Sequence, residues 1–174
     1  VSTFPLMAIN NDGVVLRVGN DTVSRTAEEY NHQEIKRGIE SIHRYVNTID
    51  RASSKNPGVA KKSIYETILY FLTSPFHHHY MTKGKAILGW DYERGPKPLA
   101  IYGNTKNGKT YLLKYCSRLL TGKNNIVSAY EDENFTPKQI KNLLSWSSLF
   151  PIIFDDISDT KWGKQHMDQI GRNY

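Results

Sequence analysis

Residues 103–110 read Gly-Asn-Thr-Lys-Asn-Gly-Lys-Thr, with two glycines five apart and Lys-Thr directly after the second. Glycine loses the most backbone freedom on ordering, so a loop framed by two of them needs a reason. The pattern G-x-x-x-x-G-K-[ST] supplies one. Such a loop turns successive backbone N–H groups inward onto phosphate oxygens. In it Lys109 is placed to reach β- and γ-phosphates, and the Thr110 hydroxyl to ligate Mg²⁺. The candidate nucleotide-binding residues are therefore Gly103, Asn104, Thr105, Lys106, Asn107, Gly108, Lys109 and Thr110, with Tyr111 directly after them.

A second group lies downstream. Phe150-Pro151-Ile152-Ile153-Phe154 is an apolar run that ends in Asp155-Asp156. An apolar strand ending in acids puts carboxylates at the carboxyl edge of a sheet, where open α/β sheets bind ligands. Asp155 is the candidate Mg²⁺ ligand beside Thr110. Asp156 is the candidate for orienting an attacking water, so that Lys109 and Asp156 form the catalytic pair. Two aspartates after a strand could equally cap a following helix. Their position 46 residues after Lys109 favours the metal role.

These groups need elements to hold them. LAIY, residues 99–102, reads as a strand running into the glycine loop. YLLKYCSRLLTG reads as a helix ending at Gly122. Its N-terminus brings the positive end of the helix dipole to the phosphate position. NIVSAY is a second strand. Thr136-Pro137-Lys138-Gln139 has the form of a capped helix start. FPIIFDD is a third strand. Strand-helix-strand-helix-strand predicts an α/β fold, a parallel sheet flanked by helices.

Upstream, FPLMAI and VVLRV flank NNDG and predict a hairpin. Ile35, Ile39, Ile42, Val46 and Ile49 recur at helical spacing and are expected to line a core. KKSIYETILYFL reads as a second helix, and Ser74-Pro75 as the start of another turn. GWDYERGPKP reads as a loop. The division follows: a hairpin and helical accessory region over 1–96, and the phosphate-binding core over 97–174.

With both motifs placed, the chain resembles P-loop NTPases of the AAA+ type. It is most similar to superfamily 3 helicases and the viral and phage primase-helicases. Asn107-Gly108-Lys109-Thr110, Leu112-Leu113, Leu119-Leu120-Thr121-Gly122 and the upstream ILYFLTSP carry the likeness. The resemblance implies ATP and Mg²⁺ as ligands and hydrolysis completed by an arginine from a neighbouring subunit. It also implies a ring that moves or unwinds DNA or RNA. Family members carry a sensor strand after the second motif. Here 18 residues follow Asp156 and no such strand is evident, so the core is expected to be truncated. A nucleotide-controlled switch attached to an effector such as an antiviral nuclease is the other reading. A nucleoside kinase would need a lid with arginines, which the C-terminal part lacks. No guanine-reading N/T-K-x-D motif is present, which favours ATP.

His77-His78-His79 on a helix would point about 100° apart and cannot all share one metal site, though two could in an extended loop; a polar surface, open to nucleic acid, is the preferred reading. Lys55, Lys61, Lys62, Lys83 and Lys85 flank the aromatic segment Tyr65 to Tyr80. The preferred reading makes those rings core and the lysines solvated; a stacking platform for a single strand is the other. Cys116 is expected to be a small buried residue without nucleophilic partners. A lone cysteine gives no internal disulfide, and a reducing, cytoplasmic setting is expected, or the host interior for a viral protein. The net charge of +6 favours polyanion partners. No apolar run reaches the roughly 18 residues of a membrane span. The opening VSTFPLMAINND lacks both an initiator Met and a signal-peptide layout, so an excised piece of a longer protein is expected.

Overall fold

The computed structural model describes residues 6–10, 13–26, 31–52, 54–89, 99–103, 107–122, 135–144, 148–155 and 157–158. Three antiparallel strands open it: β1 (Leu6–Asn10), β2 (Gly13–Val18) and β3 (Asp21–Thr26), in that spatial order. The anticipated hairpin is β1 and β2, in the register Leu6↔Arg17 to Asn10↔Gly13. The third strand was not anticipated. Gly19-Asn20 joins it to β2, and Gly19 takes φ 62°, the left-handed conformation such two-residue turns need.

Among the described residues four α-helices follow: α1 (His32–Val46), α2 (Pro57–Leu88), α3 (Lys109–Thr121) and α4 (Pro137–Leu144). Side-chain capping sets the starts of α1, α2 and α4. Asn31 accepts from the Gln33 amide at 2.8 Å, Asn56 from Val59 at 3.2 Å, and Thr136 from Gln139 at 3.2 Å. Each satisfies an amide that has no partner inside its helix.

The helix α2 corrects the reading of Ser74-Pro75 as a new start. It runs through Pro75 without a break. Proline has no N–H, so the carbonyl four residues back loses its helical donor. That carbonyl is Phe71, and the Ser74 hydroxyl donates to it at 2.9 Å. Pro75 itself is fully buried, so packing offsets the lost hydrogen bond.

Two apolar clusters hold these elements. Val46 of α1, Ile68 and Phe71 of α2, Leu112 and Cys116 of α3, and Ile153 form the first. Tyr45 and Tyr115 stack beside it, 3.9 Å apart and nearly parallel. The second joins Met7 of β1, Leu16 of β2 and Phe150, with Leu120 of α3 against them. Only the C-terminal end of the α1 apolar face is packed. Ile42 and Val46 meet the core, while Ile35 and Ile39 are exposed.

The expected parallel sheet has no counterpart among the described residues. Residues 99–103 carry no strand, and 150–155 have a single bridge position at Phe154. The run 125–130 lies outside the described residues, as does the loop at 90–98. What is present is a small antiparallel sheet with packed helices. The edge of β1 opposite β2 is occupied: Met7 donates to the Ser148 hydroxyl at 3.1 Å and accepts from the Leu149 amide at 2.9 Å. An open strand edge is covered by the segment leading to the two aspartates.

Candidate functional site

The start of α3 is built by glycine. Gly108 precedes the helix with φ 79°, a left-handed conformation strained for any residue with a Cβ. The first helical bond runs from the Leu112 amide to the Gly108 carbonyl at 3.0 Å. No side chain caps the helix, unlike the starts of α1, α2 and α4. First-turn amides have no acceptor within a helix. An uncapped, glycine-led start leaves that role to something else, and an anion suits the dipole.

The loop before it is closed by its own lysine. Lys109 Nζ donates to the Gly103 carbonyl at 2.8 Å, so the ammonium reaches back to the residue six positions before it. Among the described residues, a Cβ at Gly103 would meet only Lys109 Cδ, at an ordinary 3.9 Å.

The two motifs meet through one bond. Thr110 Oγ1 donates to Asp155 Oδ2 at 2.7 Å, across 45 residues of chain. Both side chains are half-buried. Ile153, two residues before Asp155, packs among Leu112 and Cys116 on the buried side of α3. The apolar clusters therefore dictate where the carboxylate sits. Phe135 supports the same segment, edge-on to Phe154 at 5.0 Å.

A hydroxyl and a carboxylate in contact are the hard oxygen donors that Mg²⁺ takes, its other positions going to water and phosphate. The residues fit that ion. A cage built from protein alone is a different matter. No three His, Cys, Asp or Glu side chains come together among the described residues. His79 is exposed and His77 half-buried.

Among the sequence candidates, Gly103, Gly108, Lys109, Thr110 and Asp155 are thus brought together. Asn107 and Tyr111 are exposed beside them, with Lys114 Nζ 5.9 Å from the centre of the Tyr111 ring. Asn104, Thr105, Lys106 and Asp156 lie outside the described residues. Sequence reasoning missed Ser148 and Met7, which anchor the Asp155 segment to β1. A serine ahead of an apolar run gave no signal of that role.

Cys116 is buried as expected, and burial pushes its thiol pKa up to about 12. It is a packing residue and not a nucleophile. No described helix is long and apolar enough to cross a membrane.

A family model described as Aq_aa27 P-loop NTPase domain matches residues 13–172. No curated protein and no solved structure matches the chain.

Proposed function

The chain belongs to the Aq_aa27 P-loop NTPase domain family, and from that premise we propose that it binds ATP with Mg²⁺ and hydrolyses it. In this reading the backbone of residues 103–108 cradles the phosphates. Lys109 exchanges the Gly103 carbonyl for the β- and γ-phosphates. Thr110 and Asp155 hold Mg²⁺, which when bound neutralises charge on the phosphates. Asp156 aligns the water. Phosphoryl transfer of this kind is mostly positioning and electrostatics, which a prebuilt pair of donors serves. The 2.7 Å contact between Thr110 and Asp155 carries the reading. Residues that share no local element meet at the start of the helix where phosphate would lie.

The larger proposal is a module of a nucleic-acid helicase or translocase of the superfamily 3 kind. It would work as a ring in which a neighbouring subunit supplies an arginine. The runs at 99–102, 125–130 and 150–155 would then form the parallel sheet, with residues 1–96 as an accessory region. The net charge of +6 supports a polyanion partner. A nucleotide-controlled switch attached to an effector shares the Asp155-Asp156 pair and the P-loop. ATP turnover with and without DNA or RNA separates the two. Several-fold stimulation by a single strand supports the motor. Turnover indifferent to every nucleic acid removes it and leaves the switch.

A further inference from the structure

The helix α2 buries Phe71 but leaves other aromatic residues of the same segment outside the core. Tyr65, Phe76 and Tyr80 are 48%, 45% and 60% exposed, whereas Ile68, Phe71 and Pro75 form the buried side. At 100° per residue, Tyr65, Leu69, Phe76 and Tyr80 fall within about 60° of arc, whose middle lies about 120° from the middle of the core side. Lys62 and Lys83 fall in the same arc. The stripe from Tyr65 to Tyr80 is about 22 Å long.

Charge decides what such a face would meet. The helix carries Lys61, Lys62, Lys83 and Lys85 against one carboxylate, Glu66. Lys61 pairs with Asp50 of the neighbouring turn at 2.7 Å, and Glu66 lies 3.7 Å from Lys62 on an exposed surface. Lys83 and Lys85 have no acidic partner within ion-pair distance among the described residues. A second copy packed antiparallel would match Tyr65 with Tyr80 and Leu69 with Phe76. It would also set Lys62 against Lys83 at both ends, like charge on like. A strand of phosphates with unpaired bases offers the opposite: anions for the lysines and flat faces for the rings.

We propose that the face of α2 formed by Tyr65, Leu69, Phe76, Tyr80, Lys62 and Lys83 binds single-stranded nucleic acid. The rings stack on bases and the lysines follow the backbone. Stacking accepts any base, so the site is sequence-tolerant. A duplex has its bases covered and binds only through charge. The inference rests on the nucleic-acid part of the reading above, but not on the P-loop.

Fluorescence anisotropy of a labelled oligo-dT strand of about 20 nucleotides, titrated with the whole chain at low salt, tests it. Single-strand binding is expected, tighter than for a duplex of equal length. Phe76→Ala and Tyr80→Ala should each weaken it about tenfold, while Tyr80→Phe should retain it. Lys62→Ala combined with Lys83→Ala should flatten the log–log salt dependence by about 1.4, two contacts at 0.7 each. Lys109→Ala should leave strand binding intact, so that failure of the P-loop and failure of this face are read separately. The ring positions are exposed, and melting curves establish that the variants fold. Absence of strand binding overturns the proposal. So does binding that ignores the ring substitutions, which would locate the strand elsewhere. Dimers in light scattering that Phe76→Glu dissociates, with no strand bound, would make a second copy the occupant.

Discussion

The Thr110 hydroxyl donates to the Asp155 carboxylate at 2.7 Å, joining the first residues of α3 to the end of an apolar run 45 residues later. The contact predicts a pattern of substitutions. Thr110→Val and Asp155→Asn should each remove the Mg²⁺-dependent part of ATP affinity, by about tenfold or more, since a charge-assisted bond is worth about 1.5–3 kcal/mol. Thr110→Ser keeps the oxygen and should keep the affinity. Titrating each variant with ATP in Mg²⁺ and in EDTA reads the difference. Equal Mg²⁺ dependence in all of them would separate this pair from the metal.

The Asp155 segment is anchored through Phe150, which shares a cluster with Met7 and Leu16 and lies next to the Leu149–Met7 backbone bond. Phe150→Ala should destabilise the chain by about 3–5 kcal/mol. Hydrogen exchange should quicken together in residues 6–18 and 148–155. Faster exchange confined to the strands would show that the β1 edge does not position the second motif.

Much of the site was legible in the sequence because its signals are local. A glycine loop followed by Lys-Thr fixes backbone form within eight residues, and Gly108 does take the left-handed conformation. Thr136 and Gly122, at the start of one helix and the end of another, were legible for the same reason. What escaped depends on partners far along the chain. The exposure of Tyr65, Phe76 and Tyr80 is set by which side of α2 faces α3, and periodicity alone cannot choose between two apolar stripes. Pro75 looked like a helix start because its loss of a donor is local, while its burial and the Ser74 bond are tertiary and side-chain effects. β3 is hard to read because DTVSRT is mostly polar; its signal is the Gly19-Asn20 turn before it.

Ser74 supplies the donor that Pro75 removes. Ser74→Ala should leave the Phe71 carbonyl without it and lower stability by about 1 kcal/mol, a fall in melting temperature of about 2–4 °C. Thermal melts check this. An unchanged melting temperature would mean that the carbonyl finds another partner.

Burial raises the pKa of Cys116 to about 12 and that of Tyr45 to about 12, the latter also through Cys116 and Tyr115. Both groups are neutral when protonated, and the folded state holds their protons more tightly than the unfolded chain. Their contribution is therefore full below the unfolded values of 9.0 and 10.0 and declines as pH rises towards 12. Denaturant midpoints should fall steadily over that window. Cys116→Ser should shift the onset of the fall from near pH 9 to near pH 10. Iodoacetamide at pH 8 should label Cys116 only after unfolding; rapid labelling of the native chain would refute its burial.

The most direct measurement is the thermal shift produced by Mg²⁺-ATP on this chain and on Lys109→Ala. Ligand at about a hundred times its dissociation constant adds about 2.7 kcal/mol to the folded state, or about 5–10 °C. The unmodified chain should show that shift and Lys109→Ala should show none, with equal melting temperatures before nucleotide is added. The same shift in both proteins would mean that the loop from Gly103 to Thr110 does not hold the phosphates.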